Sequence, residues 1–122
     1  MFYPDYTFRR SKLIKISDEI ERGVINYNKQ KYDLDKNEAN TLAEFFTDLE
    51  VRREGDVRAF TSGGISIKFF DASGTEIVKY YITESSTIHS YEAYEERGLI
   101  IVYKAEEDLE EYIENLVSRI NL

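Results

Sequence analysis

His89 is the only histidine in the chain, and there is no cysteine. A catalytic triad needs a base beside its nucleophile. His89 does stand among hydroxyls, in Ser86-Thr87-Ile88-His89-Ser90. On a strand, however, neighbours point to opposite faces, so an Ile88 turned inward leaves His89 at the surface. Carboxylates are abundant, at 24 acids. Glycosidase-type chemistry needs two of them across a cleft in unlike environments, and no spacing here singles out such a pair. No catalytic residue is expected, and the chain reads as a non-enzyme.

Three further patterns resemble ligand sites. Asp33, Asp35, Asn37 and Glu44 match positions one, three, five and twelve of a calcium loop. Position six, which needs glycine for the sharp turn, is Glu38, and a helical stripe already begins at Ala39. A capped helix accounts for the same residues without an ion, so no metal is expected. Ser62-Gly63-Gly64 holds the only glycine pair. A phosphate loop needs a helix after it, whereas a strand follows here, so the pair reads as a bulge or turn and no cofactor is expected. Near the start, Phe2, Tyr3, Tyr6 and Phe8 interleave with Arg9, Arg10, Lys12 and Lys15. That mixture could stack on single-stranded bases. The net charge of -8 opposes it, and the expectation is a terminal strand with no direct nucleic acid contact.

The elements that must position these residues follow from periodicity. Lys12–Ile16 reads as a short strand. Over 16–34 a helix lined by Ile16, Ile20, Val24 and Tyr27 competes with a hairpin, and Gly23 with the β-branched pair Val24-Ile25 favours the hairpin. Its arms are Val24–Tyr27 and Lys31–Leu34, around an Asn28-Lys29-Gln30 tip. A helix over about 36–50 follows, with Asp35 as cap, Glu38 completing a capping box, and a stripe of Ala39, Leu42, Ala43, Phe46 and Leu49. From Val57 the pattern alternates. Ile65, Ile67 and Phe69 share one face, and Asp71–Gly74 turns the chain into a strand over 75–82. A second pair, 87–94 and 99–103, brackets Glu95-Glu96-Arg97-Gly98. Leu109, Tyr112, Ile113, Leu116, Val117 and Ile120 then define an amphipathic helix over about 106–120, poorly capped but with acids at its start. The expected fold is α+β: an antiparallel meander of about four strands with both helices on one face, forming a single domain over 1–122.

At 122 residues, 42% of them hydrophobic, the chain can bury one core without disulfides. It has neither a 20-residue apolar run nor a basic-then-apolar start, so the expected protein is cytoplasmic and makes no membrane contact. Charge is uneven. Residues 1–15 carry four bases and one acid, 16–83 nine and thirteen, and 84–122 three and ten, so the last third holds most of the negative field. Such a field attracts basic partners.

The functional expectation is therefore an acidic protein-binding module that meets another protein's basic surface. In its sharpest form it is an inhibitor occupying a nucleic-acid-binding groove. Small, acidic, cysteine-free α+β chains are common among phage anti-CRISPR and anti-restriction proteins and among toxin immunity proteins. A small-ligand binder, a regulatory domain and a homodimer formed through a sheet edge are the alternatives. The expected partner-binding residues are Tyr91, Glu92, Tyr94, Glu95, Glu96, Glu106, Glu107, Glu110 and Glu111, because tyrosines beside charges suit interfaces.

Overall fold

The computed structural model describes residues 9–10, 19–58, 64–92 and 94–120. In chain order its elements are β1 (Arg9–Arg10), β2 (Arg22–Tyr27), β3 (Gln30–Leu34), α1 (Lys36–Asp48), β4 (Glu50–Val57), β5 (Ile65–Phe70), β6 (Glu76–Thr83), β7 (Thr87–Ser90), the single turn α2 (Tyr94–Arg97), β8 (Ile100–Ala105) and α3 (Leu109–Ile120). The strands form one antiparallel sheet in the order β1-β4-β8-β7-β6-β5-β2-β3. The α+β class matches expectation. The meander of about four strands is present as β5-β6-β7-β8, but it is only the centre of a wider sheet. The β2–β3 hairpin extends it on one side, and β4 with β1 extends it on the other.

Several boundaries differ from expectation: the strand expected over 87–94 ends at Ser90, with Tyr94 already in the turn α2, and each long helix shifts at one end. Helix α1 stops at Asp48 because Leu49 turns to extended backbone and the chain enters β4, where Val51 pairs with Ala105. Helix α3 begins at Leu109 rather than 106, since Ala105 still belongs to the sheet. Nor is α3 poorly capped, because the Asp108 side chain accepts from the Glu111 N–H at 3.0 Å. The hairpin expected within 16–34 forms over 22–34, with a two-residue tip. Asn28 and Lys29 both take positive φ, 54° and 65°, as a type I′ turn requires. The anticipated strand at 12–16 lies outside the described residues, as do Ser62 and Gly63 of the glycine pair.

One face of the sheet is apolar in continuous rows. Ile25, Ile67, Tyr80, Ser90 and Ile101 are successive register partners across five strands, and Ile65, Ile82, Ile88 and Tyr103 form the next row. Against this face α1 buries Ala39, Leu42, Ala43 and Phe46, and α3 buries Leu109, Ile113, Leu116 and Val117. The spacing of three and four, legible in the sequence, is what lets each helix lay one stripe on the sheet. The capping box also forms: Asp35 Oδ1 accepts from the Glu38 N–H at 2.8 Å, and Glu38 Oε1 accepts from the Asp35 N–H at 2.9 Å. Gly64 sits at φ 71°, where an added Cβ would lie 2.2 Å from the Ile82 carbonyl oxygen, so the backbone approach there admits only glycine. Among the described residues no helix is long and apolar enough to cross a membrane.

Candidate functional site

The C-terminal half of α1 and the first turn of α3 are brought together by stacking. Phe45 and Tyr112 lie face to face, with ring centroids 3.7 Å apart and planes 5° from parallel, and Phe45 meets Phe46 edge-on at 5.5 Å. Burial raises the Tyr112 pKa, with Glu107 adding to the rise and Arg119 opposing it. A second tie comes from the sheet, where Tyr27 Oη donates to Glu114 Oε2 at 3.3 Å.

The N-terminus of α3 is anchored on the β6–β7 turn. Glu84 and Ser85 hold positive φ, 50° and 66°. The Ser85 carbonyl accepts from the N–H groups of both Leu109 and Glu110, at 2.8 and 3.2 Å, which satisfies two of the donors every helix start leaves open. Ser86 Oγ donates to the Glu107 carbonyl at 3.0 Å, and the Ser86 carbonyl accepts from the Ala105 N–H at 2.9 Å. The 106–108 segment is thus held at both ends by backbone bonds from Ala105 and Leu109 and in its middle by the Ser86 hydroxyl, while the Asp108 carboxylate caps α3.

Between these parts lies an open cleft of about 300 Å³, lined by Thr41, Glu44, Phe45, Asp48, Leu49 and Glu107. Three acidic residues and one aromatic ring share its lining. Glu106, Glu110 and Glu111 continue the acidic surface beyond the cleft, all of them exposed. The opposite sheet face carries several bases. Lys68 is the direct register partner of Lys79, Arg52 that of Lys104, and the Arg22 guanidinium lies 4.4 Å from the Phe70 ring centroid.

The nine residues expected to contact a partner do not form one surface. Glu106, Glu107, Glu110 and Glu111 gather at the end of the β7–β8 pair where Thr87 meets Lys104. Tyr91, Glu92, Tyr94, Glu95 and Glu96 gather at the other end, beyond the pairing of Ser90 with Ile101. From Ser86 to Tyr91 the extended chain covers about 17 Å. Within the second group, Glu92 serves the fold: its carboxylate accepts from Ser90 Oγ at 2.8 Å and from Tyr103 Oη at 3.2 Å. Burial and then Glu92 push the Tyr103 pKa up to about 12. Tyr91 lies 5.2 Å from Tyr94 and 5.7 Å from Tyr81, with the Lys79 ammonium 4.6 Å from its ring centroid. Tyr94 is 46% exposed, and Glu95 and Glu96 are exposed on α2.

Sequence reasoning missed Thr41, Glu44, Phe45 and Asp48. Their spacing of three, four and seven was the available signal, because it puts all four on one side of α1. His89 lies on the outer sheet face between Tyr81 and Val102, away from the cleft. Burial lowers its pKa, with Glu84 acting in the opposite direction. Comparison with known proteins finds no matching family model, no matching curated protein and no matching solved structure.

Proposed function

We propose that this chain is a non-enzymatic binding domain whose acidic α1–α3 face receives a basic surface of another protein. The observation that carries the reading is that Glu44, Asp48 and Glu107 line one cleft together with Phe45, with Glu106, Glu110 and Glu111 exposed nearby in the chain. Carboxylates sharing a cleft with an aromatic ring suit a guanidinium or ammonium group, which gains Coulombic attraction from the acids and quadrupole attraction from the ring. The surrounding acids would accelerate encounter and set orientation. Surfaces that bind nucleic acid are basic by necessity, so an inhibitor that covers such a surface, of the anti-CRISPR or anti-restriction kind, is the relationship this charge best suits. A toxin immunity role would use the same face.

The test is titration of the isotopically labelled protein with an arginine-rich decapeptide, followed by amide chemical shifts at two salt concentrations. The expected shifts concentrate at Thr41–Leu49 and Glu106–Glu111, weaken steeply with salt, and fall at least tenfold in affinity in the Glu44→Lys, Glu107→Lys double variant. Shifts centred on α2, or an affinity untouched by those reversals, would remove the acidic face from the proposal.

A further inference from the structure

The β3 edge of the sheet is built to pair with itself. Among the described residues no strand lies beyond β3. Its register with β2 fixes which backbone groups face outward. The type I′ tip makes Tyr27 and Gln30 the closing hydrogen-bonded pair, and bonded and non-bonded pairs alternate from there. Gln30, Tyr32 and Leu34 therefore direct their N–H and C=O groups toward β2. Lys31 and Asp33 direct theirs away from it, and both residues are exposed.

An antiparallel partner can use all four outward groups in only one two-fold register, the one centred on Tyr32. Lys31 then faces Asp33 of the second copy in a hydrogen-bonded pair, and Asp33 faces Lys31, giving four backbone bonds across the axis. The same register places Lys29 opposite Asp35. The neighbouring registers of the same parity are less favourable, because one sets Lys31 against Lys31 on the axis and the other Asp33 against Asp33, and each then pairs the remaining outward residue with the turn residue Lys29 or the helix cap Asp35 rather than with a strand residue. Opposite charges facing each other across strands are favourable and like charges are not. Charged edge strands ordinarily discourage pairing. Here the order Lys-Tyr-Asp repels most edges yet complements a second copy of itself.

We propose that two copies of this chain associate through antiparallel β3–β3 pairing about Tyr32, forming one continuous sheet with a two-fold axis. Four backbone bonds make a small interface, so the dimer forms at high micromolar concentration and weakens with salt.

Sedimentation velocity from 10 µM to 1 mM, combined with amide hydrogen exchange, tests this. The native chain is expected to dimerise with concentration and to slow exchange at the Lys31 and Asp33 amides. Lys31→Asp and Asp33→Lys each place like charges across the axis and are expected to raise the dimer dissociation constant at least tenfold. Mixing the two variants in equal amounts is expected to restore the dimer, which misfolded variants could not do. A native chain monomeric at 1 mM, a dimer indifferent to either reversal, or a mixture that stays monomeric would each overturn the proposal.

Discussion

The rings of Phe45 and Tyr112 stack 3.7 Å apart, and this contact joins the two helices directly across the acidic cleft. Phe45 also lines the cleft, so the stack ties one of its walls to α3. Phe45→Ala is expected to cost about 2 kcal/mol of stability, measured by urea unfolding, since the ring is half-buried and aromatic pairing adds to its area term. The same variant is expected to weaken binding of an arginine-rich peptide more than its stability loss explains.

Two buried tyrosines should respond oppositely to loss of their hydroxyls. Tyr80 is 1% exposed and its hydroxyl has no hydrogen-bond partner among the described residues, whereas the Tyr103 hydroxyl donates to Glu92. Removing an unsatisfied buried group relieves a desolvation cost, and removing a bonded one does not. Tyr80→Phe is expected to leave stability unchanged or raise it by up to about 1 kcal/mol, and Tyr103→Phe to lower it by about 1–2 kcal/mol. Thermal and urea midpoints of the two variants check this.

Stability should also fall at high pH through Tyr103. Its folded pKa is raised from 10.0 to about 12, so the folded state holds the phenol proton more tightly than the unfolded chain does. The resulting stabilisation is fully present below pH 10 and disappears as pH rises through about 12. Tyr80 shifts in the same direction, again by burial. Urea midpoints between pH 8 and pH 12 should decline, with a shallower decline in Tyr103→Phe.

Much of the fold was legible where side-chain pattern and backbone need coincide. Helix α1 carries both halves of its capping box and a clean stripe, and the β5–β8 meander alternates visibly. Strand β4 was not legible. Glu50-Val51-Arg52-Arg53-Glu54-Gly55-Asp56-Val57 offers one buried apolar residue, Val51, and a register shift between Arg53 and Gly55 breaks its alternation. It is a strand because its backbone is claimed by β8, and that long-range pairing leaves little trace in composition. The same limit applies to the cleft. Period alone aligns Thr41, Glu44 and Asp48 on α1, but only the docking of α3 on the Ser85 carbonyl brings Glu107 to meet them.

Gly64 and Gly74 separate crowding from backbone conformation. Both have positive φ, 71° and 88°, but a Cβ at Gly74 meets nothing within 4 Å, while one at Gly64 collides with the Ile82 carbonyl. Gly74→Ala is expected to cost about 1 kcal/mol for the left-handed backbone alone. Gly64→Ala should cost at least about 3 kcal/mol, because the collision forces β5 and β6 apart. Chemical denaturation of the pair gives the difference directly.

Strand β4 sits between β1, far earlier in the chain, and β8, which starts more than forty residues later. Its pairing with β8 therefore cannot form until the four strands after it have been made. Its run of Glu50, Arg52, Arg53, Glu54 and Asp56 suits that interval, since alternating ionic side chains keep an unpaired segment from adhering to other nascent chains. The polarity that hid β4 from pattern reading thus also suits a strand whose pairing with β8 closes late.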